Sequence, residues 1–242
     1  MCVKNLRSLT IVILIFFNTS LLLAQKNRED IIGSWIVISG NNKIAKRWSI
    51  PTVGILRHYK LFNAYEFSFA RIGLTYKAKD NLFLTTGIAY LDAETYAIGS
   101  QKKRSTQLWL YQENVFNIKL KKLRISNRLR FENRWINKKD NDITNYRLRY
   151  RLQLKYPINK YFYLKTFNEF FYSFNTSNFN QNRFYAGLGC NISNSIKLET
   201  GYIKNSFPKA KYDRLRIVLL FKTNLIKKKT ILSQNKILQS KK

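Results

Sequence analysis

Leu123-Arg124-Ile125-Ser126-Asn127-Arg128-Leu129-Arg130-Phe131-Glu132-Asn133-Arg134-Trp135 alternates almost without a fault. Leu123, Ile125, Leu129, Phe131 and Trp135 share one parity; Arg124, Ser126, Arg128, Arg130, Glu132 and Arg134 share the other. Tyr146 to Tyr156 repeats the pattern, with Tyr146, Leu148, Tyr150, Leu152, Leu154 and Tyr156 opposed to Arg147, Arg149, Arg151, Gln153 and Lys155. A period of two is that of a strand, whose successive side chains point to opposite faces. One face so apolar, backed by one so charged, has to meet two different media. A soluble sandwich offers a dry core, whereas a transmembrane barrel offers lipid outside and water inside. Segment lengths near ten residues with aromatics at their ends favour the barrel.

Similar segments flank this pair. Ser34 to Gly40, Arg47 to Tyr59, Tyr65 to Tyr76, Leu82 to Asp92 and Thr106 to Asn117 precede it. Tyr161 to Phe174, Asn182 to Ile192, Ile196 to Ile203 and Tyr212 to Phe221 follow. Eleven segments are therefore visible, while single-chain bacterial barrels use even numbers. Ser34 to Gly40 is read as a partial or lumen-lying strand, so ten and twelve strands both stay open. The joints at Lys77 to Asn81, Lys119 to Lys122, Pro157 to Lys160 and Ser193 to Ser195 are tight. Longer polar loops are expected at Ala93 to Ser105, Ile136 to Asn145, Asn175 to Gln181 and Lys204 to Lys211. Short turns at one end and long loops at the other suit an outer-membrane barrel.

The 242 residues carry 44 Lys and Arg against 13 Asp and Glu, a formal charge of +31. Lys4 and Arg7, the apolar run from Leu9 to Leu23 and the small Ala24 read as a secretory signal peptide over residues 1–24. Residues 25–222 form the expected barrel, and 223–242 a basic flexible tail bearing Lys227, Lys228 and Lys229 but no acid. Cys190 is then the only mature cysteine, so no disulfide can form within the mature chain.

The inward parity supplies the candidate chemistry. Arg124, Arg128, Arg130, Glu132, Arg134, Arg147, Arg149, Arg151, Lys155, Lys165, Glu169 and Arg183 are expected to line the lumen. If Ile136 to Asn145 closes a hairpin, Arg134 faces Arg147, Glu132 faces Arg149, and Glu169 comes level with Arg147 or Arg149. Such a wall braces the barrel, or it passes or binds small anionic solutes such as phosphates or carboxylates, which a guanidinium grips with two parallel bonds. Trp48, Tyr76, Trp135, Tyr146 and Tyr156 are the expected aromatic girdle. His58 is the only histidine, on a segment with Arg57 and Ser49, and no nucleophile motif accompanies it. No catalytic, cofactor-binding or metal-binding residue is assigned, and no enzyme is expected. Outer-membrane lipid and small anionic solutes are the expected partners. Nucleic acid is not, because aromatics and arginines take opposite faces in the best segments. Two alternatives remain: a secreted or periplasmic basic binding protein, and an outer-membrane lipid-modifying enzyme. The oligomeric state is left open.

A resemblance to a family joins these readings. Trp35, Gly40-Asn41-Asn42-Lys43 and Lys46-Arg47-Trp48 resemble its opening pattern. Arg128 to Trp135, Tyr146 to Arg151, Asn168-Glu169 and Asn182 to Gly189 are similar to its later blocks, and Gly201-Tyr202 to its terminal one. This is the domain-of-unknown-function 2490 family, small predicted outer-membrane proteins of Bacteroidetes type. The resemblance runs from about Trp35 to Tyr202 and departs from the pattern at Cys190. It implies a barrel in the outer membrane and supplies no substrate, reaction or cofactor.

Overall fold

The computed structural model describes residues 31–96, 102–138 and 141–226. The expected signal peptide and the tail beyond residue 226 lie outside them. The strands are β1 (Gly33–Lys43), β2 (Trp48–Lys60), β3 (Asn63–Lys77), β4 (Leu82–Tyr96), β5 (Lys102–Leu120) and β6 (Leu123–Lys138). They continue as β7 (Asn141–Pro157), β8 (Phe162–Ser173), β9 (Asn178–Asn191), β10 (Ile196–Phe207) and β11 (Ala210–Asn224). Each pairs antiparallel with the next, and β1 pairs with β11 to close a barrel. Closure leaves no sheet edge with unpaired backbone groups.

The alternation read from β6 and β7 sets their faces. Leu129 is 45% exposed, while its neighbours Arg128 and Arg130 are buried inside. The strand count differs from both expected numbers, for eleven strands close the barrel among the described residues. Even counts follow from antiparallel closure. Here the seam is parallel, from Gly33 beside Arg214 to Lys43 beside Asn224, so parity no longer constrains the number. The segment around Ser34 to Gly40 is accordingly a full wall strand.

The expected sorting of loops by length is also corrected. Turns 44–47, 78–81, 121–122, 158–161 and 192–195 lie at one end of the barrel, called here the turn end. At the opposite, hairpin end the described connections are comparably short: 61–62, 174–177 and 208–209. The polar stretches expected as loops mostly continue the strands. Polarity reports the medium around a side chain, and a strand with polar side chains on both faces still pairs its backbone in full.

Two glycines shape the interior. Gly73 and Gly87 are cross-strand partners, and the buried ring of Tyr111 lies over them with its hydroxyl donating to the Ile72 carbonyl oxygen at 3.4 Å. A methyl group on Gly73 would meet that hydroxyl and come within 2.8 Å of the Thr86 carbonyl oxygen. Gly73→Val is therefore expected to cost about 1–3 kcal/mol through overpacking. Gly54→Val, where nothing lies within 4 Å of the added carbon, is expected to be near neutral. Urea unfolding of both variants in lipid vesicles checks the contrast.

Candidate functional site: a two-sided chamber in the lumen

The inward side chains enclose a cavity of about 540 Å³ with two unlike walls. One wall is built of arginines. In register, Arg130 sits beside Arg149 and Arg128 beside Arg151, pairs that repel unless something comes between them. Carboxylates do so. Glu132 receives Arg147 at 2.5 Å and Arg149 at 2.6 Å, with Arg130 at 3.6 Å. Glu169 receives Arg149 at 2.9 Å and Arg183 at 3.2 Å, and also pairs with Arg128. Glu113 receives Arg130 Nε at 2.7 Å, with Arg128 and Arg71 at 3.5 and 3.7 Å. Glu169 on β8 thereby ties β6, β7 and β9 together.

Two further nodes lie round the barrel. Glu66 joins Arg57 on β2 to Arg214 on β11, the latter at 2.7 Å. Glu199 receives Lys165 at 2.8 Å and the Tyr163 hydroxyl at 2.9 Å. Ion pairs buried this deeply add little net stability over apolar packing, but losing one partner is costly because a buried charge is left behind.

Aromatic rings support the guanidinium groups. Arg147 lies 5.1 Å from the Trp109 ring and Arg149 4.5 Å from that of Phe171. Arg183 lies 4.7 Å from Trp35, and Arg151 5.5 Å from Phe167. The segregation of rings from arginines seen along single strands thus fails around the lumen, where other strands supply the rings.

The second wall is apolar. Trp35, Val37, Phe167, Tyr185, Ile203 and Val218 pack as one cluster. Phe69, Ala89, Leu91 and Trp109 form another, and Ile55 packs against both.

Of the residues expected to line the lumen, Arg128, Arg130, Arg134, Arg147, Arg149, Arg151, Lys165, Glu169 and Arg183 border the cavity. Glu132 lies behind them, 0% exposed. Arg124 and Lys155 are instead partners near the turn end, with Arg124 exposed. The register differs from expectation by two residues: Glu132 faces Arg147, Arg134 faces Asn145, and Glu169 faces Arg151. β6 runs to Lys138 and β7 begins at Asn141, inside the stretch expected as a loop, and an even slip keeps every side chain on its face. Trp48, Tyr76 and Tyr156 lie near the turn end, and Trp135 and Tyr146 toward the hairpin end. Trp48 and Tyr76 are partners with ring centroids 4.8 Å apart.

His58 meets Ser34, not Ser49, which sits at the far end of β2. Ser34 Oγ lies 3.0 Å from Nδ1 of His58 and accepts the Phe62 N–H at 3.1 Å. Ser34 is 1% exposed, so the pair pins the 61–62 turn and presents no hydroxyl to a substrate. Among the described residues no group of three or more His, Cys, Asp or Glu could hold a metal ion, and no helix is long and apolar enough to cross a membrane.

Over residues 32–216 the chain matches a family described as "Protein of unknown function (DUF2490)". No curated protein matches it.

Proposed function

The chain belongs to the DUF2490 family, and we propose that it is an outer-membrane β-barrel whose cationic lumen binds anionic solutes. The outward surface supports the membrane reading. Ile72, Ile88, Leu108, Leu129, Leu164 and Leu188 are among the exposed apolar residues spread round the wall, and contiguous exposed apolar surface marks protein or membrane contact. The ten residue steps from Tyr146 to Tyr156 cover about 33 Å along the strand. A tilt of about 40° reduces this to about 25 Å, the height of the apolar band of such barrels. Some outward asparagines within the belt are paired, Asn127 accepting the Tyr150 hydroxyl at 2.8 Å and Asn182 donating to Asn168 at 2.6 Å, whereas the Oδ1 of outward Asn133 has no partner. Lipid supplies no hydrogen bonds, so polar groups there need such partners.

The observation carrying the anion reading is the polarity of the unmet hydrogen bonds. Arg71, Arg128, Arg134 and Arg151 border the cavity, each with a buried Nε–H that has no partner, and the other unpartnered atoms among its described lining residues are donors too. Buried donors call for acceptors, and an oxyanion brings several. Replacing chloride by phosphate at constant ionic strength is expected to stabilise the refolded protein, by about 2.7 kcal/mol at a hundredfold excess over Kd. Arg151→Ala should gain less. Identical unfolding in the two salts, or the same gain in Arg151→Ala, contradicts an anion site.

A further inference from the structure

We infer that the chamber is built for an amphiphilic anion, a single alkyl or acyl chain ending in a carboxylate, a ligand class that rests on the anion reading above. A hydrophilic anion alone would touch only one of the two walls. The interior of a transmembrane barrel is ordinarily polar. Here Ile55 links the two apolar clusters, so one continuous surface runs from Phe167 and Ile203 past Val37 to Phe69, Leu91 and Trp109. That surface and the arginine wall border the same cavity of about 540 Å³. Pockets of roughly 300–1,000 Å³ with mostly apolar linings and a few placed polar groups are typical of small-molecule sites.

The position of the head group follows from the arginines. Most are paired with a carboxylate, but among the described residues Arg134 and Arg151 form no ion pair; Arg134 donates to Asn145, whereas the buried Nε–H of Arg151 has no partner. Its guanidinium lies over Phe167, at the border of the apolar wall. Arg216 approaches the same ring from the other side of the sequence, 5.9 Å from Phe167. Its Nη1 reaches Glu199 only at 4.0 Å and makes no hydrogen bond. A carboxylate at Arg151 and Arg216 would have its chain directed onto Phe167 and along the apolar surface. Side chains filling a small barrel account for the clusters themselves. They do not account for two under-coordinated arginines placed where charge meets hydrocarbon.

The tryptophans supply a direct probe, since all four are accounted for: Trp35 and Trp109 inside, Trp48 and Trp135 outside. In Trp48→Phe/Trp135→Phe, refolded into vesicles, only the lumen pair emits. Titration with a dibrominated long-chain carboxylate is expected to quench this emission saturably. Arg151→Ala/Arg216→Ala should weaken the apparent affinity about tenfold or more, the effect of losing charge-assisted hydrogen bonds. A brominated alkyl trimethylammonium should give no saturable quenching. Equal quenching by both amphiphiles, or an unchanged affinity in the double alanine variant, overturns the inference. If phosphate stabilises the protein but the carboxylate does not quench, the anion site stands and the amphiphile falls. If neither acts, both readings fall.

Discussion

Replacing Glu169 by Gln is expected to lower stability by about 3–5 kcal/mol, the typical cost of breaking a buried ion pair from one side. This carboxylate holds Arg149 at 2.9 Å and Arg183 at 3.2 Å and also pairs with Arg128, so its loss leaves three guanidinium groups facing one another on β6, β7 and β9. Glutamine keeps the shape and one acceptor but removes the charge. Unfolding in vesicles at fixed salt measures the difference. Part of the loss should be recovered when phosphate replaces chloride, because an external anion can enter where the carboxylate was. A cost below about 1 kcal/mol, the value of an exposed pair, would mean that the arginines are already neutralised by solvent.

Leu129→Arg should cost about 2–4 kcal/mol in bilayers, whereas Tyr156→Arg, near the turn end, should cost about 0–1 kcal/mol. Both positions face outward and both are exposed, so burial within the protein cannot separate them. Depth in a bilayer can. Equal costs at the two positions, measured in the same vesicles, would remove the lipid belt from the account.

The wall was legible where the two faces differ in polarity, and illegible where they do not. On β6 and β7 every arginine contrasts with a leucine or aromatic neighbour, and the faces assigned from sequence are those observed. On β5 the outward Leu108 and Leu110 alternate with inward Trp109 and Tyr111, so hydrophobicity cannot choose a face and Glu113 goes unnoticed. The apolar chamber wall is hidden for the same reason, because β1 to β4 carry apolar residues on both parities. Arg214 and Arg216 alternate openly with Leu215 and Ile217, and that signal could have placed them in the lumen. Glu66 could not have been placed. Arg57 pairs with Phe67 and His58 with Tyr65, so Glu66 is the extra residue of a bulge, which turns it inward onto Arg57 and Arg214 against the strand's parity. The eleven segments were visible, but their odd number conflicted with antiparallel closure, because the parallel seam pairs the first and last strands, far apart in sequence and with no turn between them to mark it.

The central proposal is that one face of each strand meets lipid and the other lines the interior chamber. Nitroxide scanning of residues 146–156 in a Cys2→Ser/Cys190→Ser background, in lipid vesicles, tests it most directly. Labels at 146, 148, 150, 152, 154 and 156 should collide with oxygen, and more so toward the middle of the strand. Labels at 147, 149 and 151 should be shielded from it. Even-numbered labels that collide with a water-soluble nickel complex as readily as with oxygen, along the whole strand, would contradict the account.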